Sequence, residues 1–329
     1  MPDLYDVAAI GNAIVDVIAP ATDAFLTSED LAKGAMTLID EARAERLYAK
    51  MAAGVEASGG SAANTIAGVA SLGGRAAFIG KVADDQLGKV FAHDMRAIGA
   101  GFDTPPLKGG PATARSLINV TPEGQRTMAT FLGASNSLTA DDVDVKLIEC
   151  SKIIYLEGYL FDPPEARAAF AKAAALARSN GRLLAFTLSD PFVVDRHRAA
   201  LLEFIETQVD VLFANHSEVT SLFETDDFDV ALAAVRDLPL IGAVTRSEKG
   251  SVIVGNGEIH MIDAFPVEKV IDTTGAGDQY AAGFLLGLAQ DRDLGDCGRL
   301  GALAAGEVIT HYGPRPQVSL KDLAAANGL

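Results

Sequence analysis

The stretch Val270-Ile271-Asp272-Thr273-Thr274-Gly275-Ala276-Gly277-Asp278 carries the residue types that phosphoryl transfer to an alcohol requires. Two apolar residues end in a turn. Two glycines then bracket an alanine, and a carboxylate opens the apolar run Gln279-Tyr280-Ala281-Ala282-Gly283-Phe284-Leu285-Leu286. Small residues let the backbone curl until successive amide N–H groups converge on one point, and a helix starting there adds the positive end of its dipole. Gly275, Ala276 and Gly277 are thus the expected seat for an anion, with Asp278 at its rim as a candidate general base. That pair can hold charge on a moving phosphoryl group and accept the alcohol proton. A glycine turn capping a helix is the plainer reading of G-x-G-D alone. The flanking Asp272-Thr273-Thr274 and a second glycine site tip the balance to chemistry.

The second site is Ser58-Gly59-Gly60-Ser61-Ala62-Ala63-Asn64-Thr65, which leads straight into a helical pattern. Glycines permit close approach of a ligand to the backbone, and Asn64 falls in the first turn on the side a ligand would see. Asn12 and Asp16 follow the first strand and offer hydrogen-bonding groups to a diol; an Asp that caps a turn is the plainer alternative.

These residues need a scaffold, and the chain supplies alternating short apolar runs and Ala-rich helical stretches. Strands are expected at 7–11, 76–80, 152–156, 183–188, 209–214, 243–245 and 251–254, with helices at 62–72, 87–98 and 164–180. This order predicts an α/β fold: a doubly wound, mostly parallel central sheet with helices on both faces. Residues 114–120 and 126–132 form a hairpin pattern around Thr121-Pro122-Glu123-Gly124-Gln125, and residues 12–20 and 34–40 are also extended. They suggest a small β-sheet that covers a site, an ordinary edge hairpin being the alternative.

Composition narrows the function. At 329 residues and 49% hydrophobic, the chain can bury a large α/β core as a single domain, 1–329. A formal charge of −17 opposes nucleic acid or an anionic membrane as partner. Cys150 and Cys297 lie far apart without metal-ligand spacing, so two reduced thiols in a cytoplasmic protein are expected. Residues 1–6 lack a basic leader pattern, and no apolar run reaches membrane-span length.

Taken together, the motifs resemble the ribokinase-like (PfkB) carbohydrate kinases over nearly the whole chain. One signature runs from Gly59-Gly60-Ser61-Ala62-Ala63-Asn64 to Gly73-Gly74-Arg75 and on through Gly80-Lys81-Val82-Ala83-Asp84-Asp85-Gln86-Leu87-Gly88; the other is Asp272 to Asp278. Asn215-His216-Ser217-Glu218 matches the family N-x-x-E motif. Details resemble the adenosine kinase branch: Gly11-Asn12-Ala13-Ile14-Val15-Asp16, Lys33-Gly34-Ala35-Met36-Thr37-Leu38, Leu132-Gly133-Ala134-Ser135-Asn136 and Leu188-Ser189-Asp190-Pro191-Phe192.

The resemblance implies ATP and Mg²⁺, with Asn215, Glu218, Thr245, Ser247 and Gly250 at the nucleotide and Glu218 acting on magnesium through water. Ser247 stands where the family T-x-G-x-x-G has its first glycine. It implies a small-molecule substrate held by Asn12, Asp16, Met36, Gly59, Gly60, Asn64, Leu132, Ala134 and Phe192. Adenosine, phosphorylated on its 5′-hydroxyl, is favoured over ribose, fructose or 2-keto-3-deoxygluconate. Asp278 would be the base, Gly275, Ala276 and Gly277 the anion seat, and Arg126 a group reaching the phosphate from the hairpin. A lid from residues 12–20, 34–40 and 112–134 and a monomer rather than a homodimer are also implied. So is a monovalent cation such as K⁺ on backbone carbonyls near Asp272, Thr274, Val308, His311, Gly313 and Gln317. A non-catalytic nucleotide-binding module and an NAD-linked oxidoreductase are the other classes. The latter lacks a G-x-G-x-x-G after the first strand. No Walker or zinc-hydrolase motif occurs.

Overall fold

An unbroken apolar run such as Val7-Ala8-Ala9-Ile10 is stable as a strand only if both faces are covered. All four residues are fully buried, Val7 and Ala9 in one core cluster and Ala8 and Ile10 in the other. The computed structural model describes residues 4–329, so the first three positions of the 1–6 stretch lie outside the described residues. In chain order the strands are β1 (Tyr5–Ile10), β2 (Ile14–Pro20), β3 (Met36–Leu38), β4 (Val55–Gly59), β5 (Ala76–Ile79), β6 (Ala114–Val120), β7 (Arg126–Phe131) and β8 (Ser151–Glu157). They continue with β9 (Leu183–Thr187), β10 (Val211–Asn215), β11 (Ile241–Thr245), β12 (Ser251–Gly255) and β13 (Glu258–Ile262).

Eight strands form the central sheet in the order β13-β12-β11-β10-β9-β8-β1-β5. It is parallel from β5 to β11, as the alternating pattern predicts. The run at 251–254 departs from that expectation: β12 pairs antiparallel with β11, and β13 antiparallel with β12. The reason is chain length. Residues 246–250 are too few for a crossover, so the chain can only turn back.

Helix Ala276–Ala289 is buried on nearly every side and packs on helix Ser61–Ser71. Small residues permit this: a methyl group on Gly68 would lie 2.6 Å from the Ala282 methyl. Cys150 and Cys297 are free and buried, and no helix among the described residues is long and apolar enough to cross a membrane.

A second, five-stranded sheet has the order β3-β7-β6-β2-β4. Strands β2, β3, β6 and β7 come from the segments read as extended. Strand β4 was not anticipated, because Val55-Glu56-Ala57-Ser58-Gly59 shows no sustained apolar alternation; it pairs antiparallel with β2. Val17, Leu117, Ala129 and Phe131 bury one face with Leu26, Ala44 and Leu47 from helices Asp23–Ser28 and Glu41–Tyr48. The alternate residues Asp16, Ser116, Ile118, Met128 and Thr130 line a cleft between the two sheets.

Candidate active site

Strand register decides which polar groups meet. Ile10 aligns with Ile79 on one side and Leu156 on the other, Glu157 with Thr187, and Asn215 with Thr245. The chain therefore leaves β1 at Asn12 beside Glu157, and Asn215 and Thr245 stand together farther along the same carboxyl edge. Ligands of open parallel sheets bind at that edge. A cleft of about 610 Å³ lies over it, walled by this edge, the small sheet and both glycine turns.

The two glycine turns converge on Asp278. Ser61 Oγ donates to Asp278 Oδ1 at 2.6 Å, and Asn64 Nδ2 donates to Oδ2 at 3.1 Å. Loss of hydration raises the Asp278 pKa; the two hydrogen bonds and the Arg315 charge offset this only in part. Gly275 caps helix Ala276–Ala289 in the left-handed conformation, φ 79°, and a Cβ there would sit 2.6 Å from the Pro314 backbone. Gly277 differs: a Cβ there meets nothing within 4 Å among the described residues, and it opens on the cleft. The first glycine is thus needed by the fold, and the second leaves open space at the helix start.

Behind the turns lie two charged groups that sequence reading missed. Glu157 is buried at the end of β8 and accepts from Asn12 N (3.3 Å), Asn12 Nδ2 (2.9 Å) and Ala62 N (2.9 Å). Burial pushes its pKa up to about 7, because lost hydration outweighs three hydrogen bonds. The available signal was a lone carboxylate ending the apolar run Ile153-Ile154-Tyr155-Leu156. Arg315 donates to Ser58 Oγ (2.6 Å) and Asn64 Oδ1 (3.3 Å), and its charge is supported by Asp16, Asp94 and Asp278. Only its position between Pro314 and Pro316 hints at a fixed orientation.

Asn12, Asp16, Met36, Gly60, Asn64, Leu132 and Phe192 all line the cleft, as do Asn215, Glu218, Thr245, Thr274, Gly275, Gly277 and Asp278. Asn12 Oδ1 is buried without a hydrogen-bond partner among the described residues. Gly59 makes room for Asp16, since a Cβ there would lie 2.3 Å from Oδ2. Desolvation, opposed by Arg315 and Arg126, pushes the Asp16 pKa up to about 6. Met36 and Phe192 are apolar yet 48% and 72% exposed. Asn215 and Glu218 form a capping box, with Asn215 N and Nδ2 donating to the carboxylate at 2.9 and 2.7 Å. Burial lifts the Glu218 pKa to about 7. One donor per oxygen leaves each Glu218 oxygen an open lone pair, which suits a hydrated Mg²⁺, an ion that keeps several waters.

Other expected residues lie off the cleft wall. Ala134 is fully buried, and Ala276, the middle residue of the anion turn, does not line the cleft. Ser247 and Gly250 shape the β11–β12 turn. Both have positive φ, 53° and 75°, and a Cβ on Gly250 would strike the Ile262 carbonyl at 1.9 Å. Arg126, expected to reach the phosphate, is buried beside Asp272 on the loop that leads to Asp278, its Nη2 in an ion pair with Oδ2, and its Nε and Nη1 have no hydrogen-bond partner among the described residues. His311 and Gln317 engage Glu307 Oε1 at 3.1 and 3.0 Å, and Val308 is buried in the core.

Residues 7–320 match the model of the pfkB family carbohydrate kinases. A solved adenosine kinase from Sinorhizobium meliloti is 54% identical, covers 98% of this chain and 99% of its own, and superposes with a TM-score of 0.91. A probable sugar kinase from Rhizobium etli CFN 42 is 49% identical with a TM-score of 0.92, covering 99% of both chains. Adenosine kinase 2 of Arabidopsis thaliana is 24% identical across 92% of this chain and 93% of its own. The chain belongs to the pfkB family of carbohydrate kinases, in its adenosine kinase-like branch, and is a phosphotransferase acting on an alcohol group.

Proposed function

We propose that the protein transfers the terminal phosphoryl group of ATP to the 5′-hydroxyl of adenosine, yielding AMP and ADP. One observation carries the reading. The Asp278 carboxylate sits where two helix starts meet, beside a glycine turn whose open side faces the cleft. ATP would lie along the carboxyl edge by Asn215, Glu218 and Thr245, its terminal phosphate on the Gly275–Gly277 amides. Asp278 accepts the hydroxyl proton as that oxygen attacks phosphorus and the bond to the bridging oxygen of ADP breaks. Mg²⁺, when bound through water near Glu218, supplies charge neutralisation on the phosphates. Asn12, Asp16 and the Gly59–Gly60 turn hold the ribose diol, with Asn64 fixed between Asp278 and Arg315. The small sheet acts as a lid that keeps water from the phosphoryl group.

Adenosine is favoured by the other end of the cleft. Met36, Leu38 and Phe192 present apolar surface to water there, and a purine would cover it. A free sugar has no apolar ring to place against them. Phosphorylation of a sugar or sugar acid is the second reading, favoured by the resemblance to the probable sugar kinase. A coupled assay of ADP release against adenosine, inosine, ribose, fructose and 2-keto-3-deoxygluconate separates the two. Adenosine is expected to saturate at the lowest concentration; a free sugar saturating far below it rejects the nucleoside reading.

A further inference from the structure

We infer that Arg315 is a positioning residue for the proposed base: it fixes the Asn64 side chain so that the amide nitrogen, rather than the amide oxygen, faces Asp278. The inference rests on the reading of Asp278 as the group that takes the hydroxyl proton. Its ground is the pattern of donors and acceptors around one amide. Asn64 Nδ2 donates to Asp278 Oδ2 at 3.1 Å, and Asn64 Oδ1 accepts from Arg315 Nε at 3.3 Å. A guanidinium has donors only, so a turned amide would set Nδ2 against Arg315, donor to donor. Without Arg315 the turned amide becomes available. Its oxygen would then accept from a protonated Asp278 and stabilise the neutral acid, which cannot serve as a base. Ser61 gives no such discrimination. Its hydroxyl donates to Asp278 Oδ1 at 2.6 Å, but a hydroxyl rotates and can accept as well.

Arg315 is itself held from several sides. Its Nη1 donates to Ser58 Oγ at 2.6 Å and its Nη2 to Met95 Sδ at 3.7 Å. Ser58 N in turn donates to Asp94 Oδ2 at 2.9 Å, and Asp94 supports the guanidinium charge. Prolines on both sides stiffen the backbone at Arg315, and Gln279 ties that loop to Asn64. Gln279 is fully buried, and its Nε2 donates to Asn64 O at 3.0 Å and to Pro314 O at 2.9 Å. Gly68 leaves room for this amide, since a Cβ there would lie 2.2 Å from Gln279 Oε1. One side chain thus sets the distance between the helix that carries Asn64 and the loop that carries Arg315.

The charge of Arg315 acts in the same sense. Lost hydration favours the neutral form of Asp278, and Arg315 opposes it. The other titratable groups facing Asp278 are Asp16 from β2, Glu157 and Tyr155 from β8, and Tyr159, the two phenols being kept neutral by burial. Both carboxylates repel an ionised Asp278, and Arg315 attracts it.

The test follows the Asp278 carboxyl carbon by ¹³C NMR from pH 4 to pH 9 in the full chain labelled at aspartate, its signal being the one lost in Asp278→Asn. Arg315→Met removes the charge and the donors at similar volume, and the Asp278 midpoint is expected to rise by about one pH unit or more. Arg315→Lys keeps the charge and should stay nearer the wild type. Combining Arg315→Met with Asn64→Ala should shift the midpoint by less than the two single shifts together, because both act through one amide. The acid limb of kcat/KM should move with the midpoint, so that a loss of about tenfold at low pH is recovered as pH rises. An unchanged midpoint in Arg315→Met overturns the inference. So do single shifts that add in full, which would leave Arg315 acting by charge alone, and a rate lowered equally at every pH, which would mark a merely structural role. Should Arg315→Met fail to fold, Arg315→Gln, neutral but able to keep the Ser58 bond, is read in its place with the same expected rise. The carboxyl titration needs no substrate, so an error about adenosine would leave this readout intact.

Discussion

The two ends of the cleft are built on opposite plans. At the inner end Asp278 is clamped by Ser61 and Asn64, Asn64 is clamped by Arg315, and Asn12 is clamped by Glu157. Charged groups there are already largely withdrawn from water before any ligand arrives, Glu157 fully and Asp278 and Arg315 in part. At the outer end Met36, Leu38 and Phe192 stand 48%, 59% and 72% exposed. Polar groups held in advance need no reorganisation when charge moves, which favours rate. Apolar groups left in water gain only when a ligand covers them, which favours affinity. Substitutions at the inner end should therefore act on kcat and those at the outer end on KM.

The sharpest way to break this contrast is Asp278→Asn. The amide keeps the shape but cannot take the alcohol proton, so kcat should fall by about 10³-fold or more while ATP binding persists. Turnover measured beside ATP affinity by calorimetry checks it, and near-normal turnover would remove Asp278 as the base. Next comes Gly59→Ala. Its methyl would sit 2.3 Å from Asp16 Oδ2, and because a carboxylate can swing aside, the cost should fall on Asp16's position rather than on folding. As an inner-end change it should lower kcat/KM for the acceptor about 10- to 100-fold, mostly through kcat, with KM for ATP unchanged, the loss expected for one or two hydrogen bonds to a charged group. Steady-state kinetics with each substrate varied decide it. Smaller still is Phe192→Ala, which should raise KM for adenosine about tenfold and leave kcat alone, a loss of one partly covered aromatic. Equal loss of kcat would mean that Phe192 helps align the reacting hydroxyl, and the contrast would fail.

The same contrast explains what could be read from the residues alone. The anion turn was legible because its backbone demands glycine at 275 and open space at 277, and such needs leave a mark in the sequence. Strands β1, β5, β8, β9 and β10 were legible because burial on both faces leaves unbroken apolar runs. Strand β4 was not, since Val55 is 66% exposed and its neighbours carry no period. Glu157 and Arg315 were missed for a different reason. Each acts on residues far away in sequence, Asn12 lying 145 positions from Glu157 and Asn64 lying 251 from Arg315. Only the β1–β8 register and the packing of Pro314 on Gly275 bring them in. The outer end was named through resemblance, because a methionine or phenylalanine in a cleft has the same letter as one in a core.

The smallest expected effect concerns stability. Burial raises the pKa of Asp16 to about 6 and those of Glu157 and Glu218 to about 7. A carboxylate whose pKa is higher folded than unfolded binds its proton more tightly in the native state. Its stabilising contribution is complete below the unfolded pKa and is lost as pH rises through the folded one. Asp6, Asp85 and Asp162 shift the other way, and what they contribute is lost as pH falls below the ordinary carboxylate range, outside this window. The free protein should therefore melt a few degrees lower at pH 7 than at pH 5. Glu157→Gln should flatten part of that slope, because an amide has no proton to lose between those limits, whereas Phe192→Ala should leave the slope unchanged. Melting curves at half-unit pH steps on all three proteins test this. A wild-type melting temperature that climbs from pH 5 to pH 7 would mean the inner end is hydrated in the free protein, and its groups would then have to be desolvated by the ligand, as at the outer end.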